Sequence, residues 1–142
     1  MAWWRSDRPS PRKREKARAL LAEARPEEAL ALLAGSAYGA GYDSDYFELL
    51  GLALLGCGQH ENAGRFLFLS GRRLPEYRAP IERFLSRHHD PNNFRQLHSQ
   101  LPMRVRTMWK LDRFPEAVRD ELKALGFPDD IQRYFQRRKS GD

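Results

Sequence analysis

Cys57 and His60 stand three positions apart, the spacing at which a thiol and an imidazole could form a nucleophile–base pair. That chemistry also needs a base of suitable geometry, and Cys57 falls on a turn behind an apolar run, where a small packed side chain is expected instead. His88-His89-Asp90 has the residue types of a metal site. Neighbouring side chains on a helix diverge by about 100°, however, and zinc needs three or four convergent ligands. His60 and His98 lie far off in sequence. Gly35, Gly39 and Gly41 lack the flanking residues of a phosphate-binding loop. The carboxylate pairs Asp43/Asp45 and Asp129/Asp130 read as helix caps rather than acid–base partners. The expectation is a non-enzymatic protein with no catalytic set, no metal and no cofactor.

Binding chemistry is better represented. Arg104, Arg106, Trp109, Lys110 and Arg113 interleave cations with an aromatic ring, as phosphate contact plus base stacking requires. A short helix there would place Arg106, Trp109 and Arg113 on neighbouring turns. The alternative is that Trp109 anchors a core and the arginines are solvated. Trp3-Trp4-Arg5, with Arg8 and Arg12 to Arg14, forms a second aromatic and basic group. Pro9 and Pro11 prevent a long amphipathic helix there, so residues 1–9 read as a flexible arm.

The charge is patterned along the chain. Residues 1–19 carry net +5, residues 20–63 net −6 and residues 64–119 net +7, while 120–142 balance. An acidic block between basic ones suits charged partners or a self-complementary surface. A chain of 142 residues fits one domain, here 10–142, and can bury a core without staples. Its single cysteine excludes an internal disulfide framework and suits a reducing compartment. The longest apolar stretch, Leu49 to Gly58, is far too short to span a bilayer, and no secretory signal is visible. A cytoplasmic location is expected.

The elements that must position these residues are helices. Val occurs twice, Ile twice and Thr once, too few for a sheet. Proline and cap residues mark helix starts. Ser10-Pro11 opens a helix to about Arg25, and Pro26 opens one to Ala34. Asp43 or Ser44 caps a third through Leu55, and a fourth spans His60 to Arg72. Further helices are predicted over Tyr77–Arg87, from Asp90-Pro91 to Gln100, over Pro115–Leu125, and from Asp129 or Asp130 to Lys139. Met103 to Phe114 is ambiguous and assigned as helix.

Shifting the chain by 34 superposes small or apolar residues: Ala17 on Gly51, Leu20 on Leu54, Ala24 on Gly58, Ala29 on Ala63 and Leu33 on Leu67. Antiparallel helices pack closely only where small residues meet. Phe47, Leu50, Gly51, Leu54, Gly58, Ala63, Leu67, Ser70 and Pro75 fall at the spacing of the tetratricopeptide pattern, which this unit resembles. Leu replaces two of its aromatics, and Ser its second Ala. The preceding unit is more degenerate, with Lys13 and Lys16 at the aromatic and Leu positions. The resemblance covers residues 10–75; no third copy is expected, because His88 and Leu97 fall where an aromatic and a small residue should stand. Ala63 to Leu69 with Pro80 to Phe84 also resembles a group of small bacterial proteins with such hairpins, a likeness that implies no activity.

The tetratricopeptide resemblance implies an all-α fold: two hairpins with further helices, 76–142, packed against them. It also implies a groove lined by the first helix of each hairpin. Mapped onto this chain, that groove presents Arg14, Arg18 and Leu21 opposite Asp45, Glu48, Leu52 and Leu55. Such a groove would bind a protein or peptide partner, as an adaptor, regulator or immunity-type inhibitor does. The competing expectations are that later helices close the groove, or that the basic 64–119 segment binds nucleic acid or the ribosome.

Overall fold

The computed structural model describes residues 10–36, 42–90 and 93–139. The arm at 1–9 and the glycine loop at 37–41 lie outside them. Among the described residues the fold is all-α, and β-type pairing is confined to two isolated bridges, Asp90–Asn93 and Lys110–Asp130.

Local chemistry sets most helix starts. The Ser10 hydroxyl accepts from the Lys13 backbone N–H ahead of α1 (Pro11–Ala22). Pro26 begins α2 (Pro26–Leu33), which tightens into a 3-10 turn over Ala34–Ser36. Asp43 accepts from the Tyr46 N–H and caps α3 (Ser44–Gly56), and α4 follows over His60–Ser70. A 3-10 turn at Pro75–Tyr77 leads into α5 (Arg78–His88).

Four assignments differ from the sequence expectation by more than one residue. Helix α1 ends at Ala22, not Arg25, because Ala24 turns left-handed at φ 59°. Helix α4 ends at Ser70, where Gly71 adopts φ 75°. Asp90 does not open the next helix; Asn93 does, accepting from the Arg95 N–H at the start of α6 (Phe94–Ser99). Met103 to Phe114 is not one helix. It divides into α7 (Met103–Arg106), a turn, and a 3-10 turn at Leu111–Arg113. Two further helices, α8 (Glu116–Ala124) and α9 (Ile131–Lys139), complete the chain, with Asp130 accepting from the Arg133 N–H.

The 34-residue register is written into the backbone. Helices α2, α4 and α6 begin at 26, 60 and 94, and α3 and α5 at 44 and 78. The turns closing α1 and α3 share one hydrogen-bond pattern. Arg25 N–H donates to Leu20 and Ala24 N–H to Leu21; Gln59 N–H donates to Leu54 and Gly58 N–H to Leu55, all within 2.9–3.1 Å. The spacing of helix starts therefore continues to α5 and α6, although residue matching stops at the second unit. There Leu85 and Leu97 replace Gly51 and Ala63. A Cβ on Gly51 would lie 2.8 Å from the Leu67 side chain, so α3 and α4 meet at a distance two leucines do not allow. Accordingly α5 and α6 barely touch, while α5 packs along α4.

Burial completes the frame. Phe47, Phe68, Phe84 and Leu67 are fully enclosed among α3, α4 and α5, each side chain contributing about 1.5–3 kcal/mol of transfer free energy. The buried Tyr46 hydroxyl donates to the Leu33 carbonyl at 2.8 Å and ties α3 to α2. Arg73 donates to the Leu67 and Phe68 carbonyls at the end of α4 and pairs with Glu121 of α8 at 2.8 Å. The later helices thus join the same core as the hairpins. Phe94 packs among Phe127, Tyr134 and Phe135 at its far end.

Candidate partner-binding site

The face expected to form the groove brings its two charged walls into direct contact. Arg14 of α1 reaches Asp43 and Asp45 at the start of α3, with 3.1 and 3.0 Å bonds from Nη1. Arg18 donates to both Asp45 oxygens at 2.7 Å. Glu48 is taken by Arg72 and by the Tyr77 hydroxyl, the latter at 2.8 Å. Burial pushes the Asp45 carboxyl upward, but the Arg18 and Arg14 guanidiniums outweigh it and hold its pKa below the ordinary value. The hydrogen bond that Arg14 donates to Asp43, against some desolvation, raises Arg14 further above its already high value. Leu21, Leu52 and Leu55 are half-buried against the core. The acidic and basic blocks of the sequence therefore serve each other here, clamping α1 to α3 and α3 to the start of α5.

The five residues of the basic cluster do not share a helix face. Arg104 and Arg106 belong to α7, Trp109 and Lys110 to the following turn, and Arg113 to the 3-10 turn. Trp109 is half-buried, stacked on the buried His98 ring at 6.0 Å and edge-on to Phe135 at 6.0 Å. Lys110 pairs with Asp130 at 2.5 Å, and the Ile131 N–H donates to the Trp109 carbonyl. The tryptophan thus anchors this segment to α9, with His98 stacked on its ring and the rest of the side chain partly exposed.

Two other groups have plain structural settings. Burial, with the Glu27 carboxylate, pushes the Cys57 thiol upward, the opposite of what an attacking thiolate needs. His88 lies against the Phe84 ring at 5.2 Å and within 3.2 Å of Glu61. No group of three or more His, Cys, Asp or Glu side chains among the described residues could hold a metal ion. No described helix is long and apolar enough to cross a membrane.

The concavity that the sequence did not single out lies elsewhere. The segment from Ser99 to Arg106 passes beside the hairpins, leaving a cleft of about 420 Å3 against α2, α3 and α4. Leu30, Leu54 and Phe66 line it, Asn62 and Arg65 edge one side, and Met103 and Arg106 the other. Met103 is 59% exposed, one of two large hydrophobic side chains that the described fold leaves in water. Arg65 donates to Gln100 at 3.1 Å, tying the crossing segment to α4. No carboxylate lines the cleft among the described residues, so its electrostatic character is set by two guanidiniums. Neither Met103 nor Arg65 carries a sequence signal for this role, because the role arises from where α6 and α7 come to lie.

No protein-family model, curated protein or solved structure matches this chain.

Proposed function

We propose that this protein is a non-enzymatic interaction module of tetratricopeptide-like hairpins that holds a segment of a partner protein. The support is the cleft between α2, α3, α4 and the Ser99–Arg106 crossing. It offers apolar walls, an exposed Met103 at its lip, and two guanidiniums with no lining carboxylate. Those features fit an apolar segment carrying carboxylates: aliphatic side chains enter against Leu54 and Phe66, while Arg65 and Arg106 bind the acids. The inner face keeps its charges for joining α1 to α3, which makes it a weaker docking surface than the cleft. The test is co-purification at endogenous levels with wild type, Met103→Glu and Arg106→Glu. Loss of one stoichiometric protein in both variants, with helicity unchanged, supports the reading; a partner set indifferent to both defeats it.

A further inference from the structure

On the other side of α7 lies a second concavity of about 540 Å3, walled by Arg95, His98, Arg106, Trp109 and Phe135, with Met103 shared at the rim. Its chemistry differs from that of the first cleft. Three of its walls are aromatic rings, and Arg95 lies over the Phe135 face at 4.8 Å. Several arginines of this chain have a carboxylate within reach, among them Arg14, Arg18, Arg25, Arg72, Arg73, Arg78, Arg87 and Arg119. Arg95 and Arg106 do not, among the described residues, and no acidic side chain lines the cavity. Arg95 and Arg106 line the same cavity as His98, whose pKa is lowered first by burial and then by their two charges. The Nε2 of His98 lies 3.1 Å from the Arg106 carbonyl, which can only accept. That nitrogen therefore carries the proton, and the other presents a lone pair. Arg106 Nε is itself buried without an acceptor, so this guanidinium has hydrogen-bonding capacity that the fold leaves unused.

We infer that this cavity binds a small aromatic anion, a flat ring bearing a carboxylate or phosphate. The ring lies against Trp109 and Phe135, and the anionic group bridges Arg95 and Arg106. The volume falls in the range of small-molecule pockets, and an anion here relieves the repulsion between two like charges near an apolar floor. This cavity adjoins the docking cleft and shares Ser99, Met103 and Arg106 with it, whereas Arg95, Trp109 and Phe135 line only the second concavity, so Arg95 reports on this site alone.

Isothermal titration of the full chain tests it, with phenyl phosphate and benzoate as probes and inorganic phosphate and benzyl alcohol as half-probes. At least one aromatic anion should bind saturably, about tenfold tighter than either half-probe, and shift the Trp109 indole N–H resonance. Which of the two binds tells phosphate from carboxylate. Arg95→Gln should weaken that binding about fivefold or more while leaving thermal unfolding and partner capture unchanged. The inference is overturned if neither aromatic anion binds saturably at millimolar concentration. It is equally overturned if Arg95→Gln binds as wild type does, or if inorganic phosphate binds as tightly as the ring-bearing probes.

Discussion

Gly64 of α4 lies directly against Pro80 in the first turn of α5: a Cβ on Gly64 would sit 2.0 Å from the Pro80 carbonyl oxygen. This contact joins the second hairpin to the helix that continues the stack. The obstructing atom belongs to the backbone, so no side-chain rotation relieves it. Gly64→Ala is therefore expected to lower stability by roughly 1–3 kcal/mol. In an ordinary helix interior the same change would raise it by about 0.5–1 kcal/mol. The sign of the shift in a denaturant midpoint checks the contact.

Ala24 and Gly58 occupy matching turns, at φ 59° and 80°. An alanine there bears the steric cost of the left-handed region, while a glycine does not. Ala24→Gly should stabilise the fold by about 0.5–1 kcal/mol, and Gly58→Ala should destabilise it by about 1 kcal/mol. Thermal unfolding of the two variants would show opposite shifts.

The Arg14–Asp45 contact links stability to acid. The folded-state pKa of Asp45 lies below its ordinary 3.8, so the native state binds fewer protons than the unfolded chain. The contribution is present above that ordinary value and lost as the pH falls through the depressed one. Arg14→Ala should cost about 1–2 kcal/mol at neutral pH. The gap from wild type should narrow as the pH drops below about 4. Urea titrations at successive pH values would measure it.

His98 gives a second pH dependence in a different window. Burial first, then the Arg106 and Arg95 charges, lower its pKa, and the hydrogen bond to the Arg106 carbonyl only partly opposes them. Its contribution is full above the ordinary value of 6.5 and is lost as the pH falls through the lower folded one. Wild-type stability should decline as the pH falls below 6.5, whereas His98→Gln, which can still donate to that carbonyl, should lack this component. Denaturation at pH 7.5 and 5.5 separates the two.

Much of the architecture was legible from residue types. The scarcity of Val, Ile and Thr excluded a sheet, and Ser10, Asp43 and Pro26 marked helix starts that the backbone honours. The 34-residue shift predicted two hairpins. It expected no third copy, because His88 and Leu97 stand where an aromatic and a small residue should, and α5 and α6, although they start 34 residues after α3 and α4, barely touch. Ala24 hid the end of α1 because alanine ordinarily favours the helix it terminates here. The candidate site was less legible. Arg14, Arg18 and Asp45 could be placed on facing helices, yet their distance decided that they bind each other. The cleft and the aromatic cavity depend on how α6 and α7 cross the hairpins, information spread over many weak contacts rather than one motif. Trp109 could be read as a stacking platform or as a core anchor, because its neighbours His98 and Phe135 are distant in sequence.

Site-specific photocrosslinking in living cells tests the docking cleft most directly, with benzoylphenylalanine replacing Met103 and, as a control, the exposed Arg83 of α5. A single discrete protein adduct should form from position 103, disappear in an Arg106→Glu background, and be absent from position 83. No adduct at 103, or the same adducts from both positions, would contradict a partner seated between the hairpins and α7.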